Sequence, residues 1–279
     1  MFYDRLPGSG YVCAHRGARA LTPENTLTAI RRGFELGADF WETDVQKTAD
    51  GQLAIVHDDT LERTTDVPDR PEFADRKPWW TQEFTLAELQ SLDAGSWFAG
   101  TDPYGTVASG EARPQDLAEA DACRIPTLRE VLAFTRANDF PMNIEIKDQV
   151  RTPGDLSIVS DILDMMREMD VEDLILISSF NHDYLREARR LNPAIPLAAL
   201  TEERHPENLV DYLNSLGVAG YHPDEVITDL SLVRDLAGRG FHVTPYTVND
   251  MDRAMDLIGA GCCGITTDYT HLLRARLDG

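Results

Sequence analysis

Residues 33–44 read GFELGADFWETD, and residues 257–268 read LIGAGCCGITTD. Each stretch runs from a helix-like end through Gly-Ala into a short apolar run that stops at Thr-Asp. That order is the end of one βα unit and the strand of the next. Its appearance near both ends of the chain points to an architecture of repeated units. Working outward, nine strand-like runs recur, at 11–15, 40–45, 53–57, 142–147, 174–179, 196–200, 217–221, 242–248 and 264–267. Most lack alternation of polar and apolar residues, as strands buried on both faces of a parallel sheet do.

Helical patterns lie between the strands. The first, 23–36, puts Leu27, Ile30 and Phe34 on one face and is followed by Gly37 as a C-cap. Others are expected at 156–169, 182–191, 206–216, 230–237 and 250–258. The alternation predicts an α/β fold, a (β/α)8 TIM barrel variant forming a single domain over 1–279. Nine strands are one too many. The link Thr48-Ala49-Asp50-Gly51 is a tight-turn signal, too short for a crossover helix, so one of the two strands it joins is irregular. Residues 59–124 break the rhythm with Pro, Gly, Asp and the tryptophans Trp79, Trp80 and Trp97, and 100–122 is strongly polar. A structureless loop of that length does not suit a compact domain, so a small inserted subdomain is expected there.

Composition narrows the function. The 279 residues carry 48 acids against 26 bases, a net charge of -22. Such a surface repels nucleic acid and anionic membranes over most of its extent, so neither is an expected partner. A small anion could bind only where local bases or a bound cation reverse the field. The four cysteines, Cys13, Cys123, Cys262 and Cys263, show no C-x-x-C spacing and read as buried thiols in a reducing compartment. No signal-peptide pattern opens the sequence, and no apolar run is long enough to span a membrane, so a cytoplasmic protein is expected.

The chemistry gathers at the C-terminal ends of strands, the active face of a parallel barrel. There lie His15-Arg16, Glu42-Thr43-Asp44, His57-Asp58 and Glu145-Ile146-Lys147. Residues i and i+2 of a strand share a face, which pairs Glu42 with Asp44 and Glu145 with Lys147. Three converging carboxylates repel one another unless a cation joins them, and hard oxygen ligands suit Mg²⁺ or Ca²⁺. His15 and His57 beside that cluster read as an acid and a base working near neutral pH. Arg16 and Lys147 supply phosphate donors. Phosphoryl transfer or phosphodiester hydrolysis uses this whole set. His182, His205 and His271 read as structural, while His222 and His242 stay open.

In order along the chain stand His15-Arg16-Gly17, Pro23-Glu24-Asn25-Thr26, Glu42-x-Asp44-Val45, Thr48-x-Asp50-Gly51 and His57-Asp58-x-x-Leu61-x-Arg63-Thr64-Thr65. Leu92-Asp93-Ala94-Gly95-Ser96-Trp97-Phe98, Ile125-Pro126-Thr127-Leu128, Tyr246-Thr247-Val248-Asn249 and Gly264-Ile265-Thr266-Thr267-Asp268 follow. This ordered set, spanning nearly the whole chain, resembles the glycerophosphodiester phosphodiesterase family. That family's fold is a variant TIM barrel shared with bacterial phosphatidylinositol-specific phospholipase C.

The resemblance implies metal-dependent release of glycerol 3-phosphate and an alcohol from a small phosphodiester, in lipid and glycerol metabolism. It implies His15 and His57 as acid and base, Glu42, Asp44 and Glu145 around one divalent cation (Mg²⁺ or Ca²⁺), and Arg16 and Lys147 on the phosphate. It places an insertion, 59–124, as a cap over the barrel mouth. It also implies a path through a cyclic phosphate, formed by the substrate's own glycerol hydroxyl; direct attack by water would use the same residues. Two departures bear on specificity: Tyr246 stands where the family usually has tryptophan, and 100–121 is longer and more polar than usual. The alternatives are a lysophospholipase D-like or sugar-phosphodiester activity at the same site, and an inactive barrel kept for binding. Beyond the substrate, the partner left open is a further copy of the chain.

Overall fold

Among the described residues, nine strands form where the apolar runs lie: β1 (Tyr11–His15), β2 (Phe40–Lys47), β3 (Leu53–Ile55), β4 (Met142–Ile146), β5 (Ile175–Ser179), β6 (Leu197–Thr201), β7 (Gly220–Pro223), β8 (His242–Val243) and β9 (Gly264–Thr267). The computed structural model describes residues 1–120 and 123–279. Eight strands run parallel in the order β8-β7-β6-β5-β4-β2-β1-β9. Backbone bonds from Cys263 N to Val243 O (3.1 Å), Thr266 N to Pro245 O (3.0 Å) and Val248 N to Thr266 O (2.9 Å) join the two ends. The result is a (β/α)8 TIM barrel. The surplus strand is β3, which folds back antiparallel on β2 and stands outside the barrel order. The Thr48–Gly51 turn leaves it no other course.

β8 has two paired residues where a strand over 242–248 was expected, because Pro245 brings no N–H to the ladder. Among the described residues, twelve α-helices complete the fold. They are α1 (Leu27–Glu35), α2 (Leu86–Leu89), α3 (Trp97–Thr101), α4 (Thr106–Ser109), α5 (Pro114–Ala120), α6 (Leu128–Asn138), α7 (Ser157–Met169), α8 (His182–Leu191), α9 (Leu209–Leu216), α10 (Leu230–Gly238), α11 (Met251–Ala260) and α12 (Thr270–Asp278). The larger ones bury one apolar face against the outside of the strands, as Ile158, Val159, Ile162, Leu163 and Met166 of α7 do.

The start of α1 differs from the expectation at Pro23. Thr26 is the N-cap, its hydroxyl accepting from Ala29 N, and Asn25 is left-handed with φ 56°. Asn25 N donates to Arg16 O at 3.0 Å, which folds Glu24 and Asn25 inward over the end of β1. Likewise α9 begins at Leu209, after the left-handed Asn208, rather than at Pro206.

The stretch from 59 onward is mostly short helical turns, with its own apolar cluster around Leu61, Val67, Phe73, Trp79, Phe84, Leu89 and Leu92, which also takes in Ala54 and Val56. Asp121 and Ala122, at the end of the polar 100–122 stretch, lie outside the described residues. At the other end of the barrel, Phe2, Tyr11, Cys13, Phe40, Leu176 and Ala198 form a separate buried cluster. Tyr3 stacks on His242 there with ring centroids 3.7 Å apart. Among the described residues, no helix is long and apolar enough to cross a membrane.

Candidate active site

Strand register brings the site together before any side chain is considered. His15 lies opposite Glu42 across β1 and β2, and Asp44 lies opposite Glu145 across β2 and β4. The carboxylates of Glu42, Asp44 and Glu145 are all buried, with ligand atoms within 4.8 Å of one another, and the group could hold a metal ion. Glu42 Oε1 and Asp44 Oδ1 meet no hydrogen-bond donor among the described residues. Burial, with Asp44 and Glu145 beside it, pushes the Glu42 carboxyl well above its usual range. Glu145 is raised too, by burial and by Asp44, against the pull of Lys147. Burial also opposes ionisation of Asp44, but His57, Arg16, Lys147 and a hydrogen bond from Asn25 outweigh it and hold that carboxyl low. Two strained acids beside one ionised acid, with orphaned oxygens, fit a hard divalent cation.

The two bases bracket this cluster. Arg16 Nε lies 3.3 Å from Asp44 Oδ2, and Lys147 Nζ lies 2.7 Å from Glu145 Oε1 and 3.8 Å from Asp44 Oδ1. Arg16 owes its place to a left-handed backbone (φ 53°), from which its N–H donates to Glu42 Oε2 at 3.1 Å. Gly17 follows with φ 83°, and a Cβ there would come within 2.6 Å of the Ala29 backbone. Only glycine lets the end of β1 approach α1 this closely.

Each histidine is held by an aspartate. His15 Nδ1 is 2.6 Å from Asp268 Oδ1, and His57 Nδ1 is 2.6 Å from Asp58 Oδ1. An Nδ1–H donated to a carboxylate fixes the ring and leaves Nε2 as the working nitrogen. The Nε2 of His15 is 3.9 Å from Glu42 Oε2. Burial, reinforced by Arg16, lowers the His15 pKa to about 4, although Asp268 pulls it upward. The imidazole is therefore neutral at pH 7.

A cavity of about 770 Å³ opens over these groups, lined by His15, Arg16, His57, Glu145 and Lys147 among others. Trp80, Phe180 and Tyr246 give it aromatic surface, the latter two edge-to-face at 5.8 Å. The tryptophans thus divide. Trp79 packs in the cluster with its Nε1 donating to Phe73 O, Trp97 donates to Ala94 O, and Trp80 reaches the cavity.

Every sequence-picked residue lies at this one place. Asp268, Asn249, Glu24, Asn25, Arg19 and Arg63 were not given roles from sequence. Asp268 was nevertheless visible as the last residue of the second Thr-Asp echo, whose first copy ends at Asp44. The remaining histidines are structural: His182 bonds Tyr212 and Leu200 O, His205 bonds Tyr221 and Ile227 O, and His271 pairs with Glu111. His222 is buried below the site, beside a cavity of about 30 Å³ that Glu42, Asn143 and Glu145 also line.

Comparison with known proteins agrees with this geometry. Residues 15–272 match the model of the Glycerophosphoryl diester phosphodiesterase family. A glycerophosphodiester phosphodiesterase of Caldanaerobacter subterraneus subsp. tengcongensis is 35% identical over 266 residues, covering 94% of this chain and 95% of its own. One from Bacillus altitudinis is 32% identical over 269 residues, covering 92% and 94%. Among solved structures, an Oleispira antarctica phosphodiesterase in complex with the product sn-glycerol-3-phosphate superposes with a TM-score of 0.81 at 28% identity, over 99% of both chains. The match begins at the first histidine of the site and runs through the last strand of the barrel, so this chain belongs to the glycerophosphoryl diester phosphodiesterase family and is an enzyme, a phosphodiesterase, of that family.

Proposed function

We propose that the protein hydrolyses glycerophosphodiesters to glycerol 3-phosphate and an alcohol, with one divalent cation, Mg²⁺ or Ca²⁺, held by Glu42, Asp44 and Glu145. The observation that carries this reading is the meeting of three buried carboxylates with two aspartate-backed histidines at one cavity. The bound cation would offset the charge of the substrate phosphate and the mutual repulsion of the three acids. Arg16 and Lys147 bind the non-bridging oxygens, the guanidinium as a planar fork and the ammonium as a point charge. One of His15 and His57 takes a proton from the attacking hydroxyl and the other gives one to the departing alcohol. Their Nδ1 atoms are occupied by Asp268 and Asp58, so both transfers run through Nε2.

The chain acts as one barrel domain, with 59–124 shaping the mouth and thereby the choice of alcohol. Asp59, Thr60 and Trp80 on the cavity wall support that role for the insertion. The four free thiols support a reducing, cytoplasmic setting. Turnover of glycerophosphocholine by the purified chain, with and without added Mg²⁺ or Ca²⁺, tests the reading. Release of glycerol 3-phosphate is expected, and no release with either ion overturns it.

A further inference from the structure

Glu24 does not line the large cavity, yet three guanidiniums converge on it. Its side chain is only 3% exposed. Oε1 accepts from Arg16 Nη1 at 2.8 Å and Arg63 Nη2 at 2.7 Å. Oε2 accepts from Arg19 Nη2 at 2.7 Å and Arg63 Nη1 at 2.9 Å. Burial opposes its ionisation, but these three guanidiniums outweigh burial and hold the carboxyl well below its ordinary range.

Each arginine leads onward to a different part of the site. Arg63 also donates from Nε to Asp58 Oδ2 at 2.5 Å and from Nη2 to Asp58 Oδ1 at 3.0 Å, and Asp58 holds His57. Arg19 Nη1 lies 3.5 Å from Asp268 Oδ1 and 3.3 Å from His15 Nδ1. Arg16 Nε lies 3.3 Å from Asp44 Oδ2. The two histidines come from distant stretches of strand and loop, yet a path of charged contacts joins them: His57, Asp58, Arg63, Glu24, Arg19, Asp268, His15.

We propose that Glu24 is a positioning residue that sets the orientation of both histidines at once, by gathering the arginines that fix their aspartate partners. The charges in this set balance, with Arg16, Arg19 and Arg63 against Glu24, Asp58 and Asp268. Neutralising Glu24 leaves three guanidiniums facing one another without the negative charge they share and with one acceptor oxygen in place of two. Arg63, whose side chain is 41% exposed, is the one free to swing into solvent, and Asp58 then loses its second anchor. A planar two-pronged donor is needed at residue 63, because it must grip two carboxylates together, which a lysine cannot do. The assignment of roles to His15 and His57 rests on the functional reading above; the bonding path does not.

The test is Glu24→Gln in the full chain, read first by NMR of the imidazole nitrogens, without substrate. Both low-field Nδ1–H signals, of His15 and His57, are expected to move upfield. Arg63→Met moves the His57 signal and Arg19→Met the His15 signal, each leaving the other nearly in place. Glu24→Asp, which keeps the charge, restores most of both. With glycerophosphocholine and the cation present, kcat of Glu24→Gln falls about tenfold or more while KM stays within about threefold, as for loss of a supporting hydrogen-bond partner. The pair Glu24→Gln with Arg63→Met is less than additive in kcat. If Glu24→Gln moves neither signal or only one, the proposal is overturned. Should that variant not fold, an unmoved His57 signal in Arg63→Met overturns it equally. If the variants show the NMR response but the wild-type chain hydrolyses nothing, the functional reading falls and the positioning role stands. Turnover without the NMR response does the reverse.

Discussion

Asp268 Oδ1 lies 2.6 Å from His15 Nδ1, a contact that spans 253 residues and ties the last barrel strand to the first. Asn249 Nδ2 braces the other oxygen of Asp268 at 2.8 Å. Asp268→Asn keeps the shape but offers an amide where a proton acceptor stood, which favours the wrong tautomer of His15. We expect kcat to fall roughly 10–100-fold, with cation affinity little changed. Steady-state kinetics and calorimetric titration with Mg²⁺ or Ca²⁺ check this. Unchanged kcat would show that His15 needs no orienting partner.

The raised carboxyls of Glu42 and Glu145 give a sign for metal removal. An acid whose pKa is higher folded than unfolded adds stability below its unfolded pKa, and that stability is lost as pH rises through the folded value. The cation-free site is therefore least stable once both carboxyls ionise, and the cation of the proposed reading would relieve that repulsion most at high pH. EDTA should abolish turnover, and Mg²⁺ or Ca²⁺ should restore it. The Tm gain on adding the ion should be larger at pH 8 than at pH 5. Scanning calorimetry reads this directly, and a gain independent of pH would contradict it.

His222 gives the opposite dependence. Burial, helped by His242, lowers its pKa to about 3. The unfolded chain takes up that proton as pH falls through about 6.5, while the folded chain does not until near the lower value. Stability is therefore full above about pH 6.5 and declines with acid, by up to about 1.4 kcal/mol per pH unit for this group. His222→Asn should flatten the fall of Tm between pH 6 and 4. An equal slope in the variant would assign the acid sensitivity elsewhere.

Gly17→Ala puts a Cβ within 2.6 Å of the Ala29 backbone at a left-handed position. We expect a loss of about 2–4 kcal/mol from overpacking and backbone strain together. The same change displaces Arg16, so activity should drop further than the loss of stability explains. Denaturant unfolding and kcat/KM, measured on one preparation, separate the two effects.

The cyclic path predicts that an analogue lacking the glycerol hydroxyl next to the phosphate binds but is not cleaved. Intramolecular attack forms the new P–O bond with a nucleophile already in place as the P–O bond to the departing alcohol breaks, and water then opens the ring. Hydrolysis of the deoxy analogue at a comparable rate would instead make water the attacking group.

Strand positions were legible as short apolar runs, and the carboxylate cluster as a consequence of the two-residue repeat of a strand: Glu42 with Asp44, and Glu145 with Lys147, must share a face. The inward turn at Glu24-Asn25 was not. Pro23 with apolar residues at helical spacing reads as a helix start, but Asn25 takes a left-handed conformation and pairs with Asp44 through a 2.9 Å hydrogen bond, a gain no local pattern announces. The roles of Asp268 and Arg63 as partners were hidden for a related reason, although both residues stand in the quoted motifs. Their distance from the histidines in space is set by barrel closure and by the fold of the insertion, neither of which leaves a spacing in the sequence. β3 lay between these cases: the turn before it showed that something was irregular, and only the antiparallel pairing with β2 settled which strand.

The buried cluster of Phe2, Tyr11, Phe40, Leu176 and Ala198 makes the barrel a cul-de-sac. Whatever enters by the mouth must leave by it, past Trp80, Phe180 and Tyr246. Arrival of a substrate and departure of its fragments would then share one opening, and a change at Trp80, Phe180 or Tyr246 would slow both together.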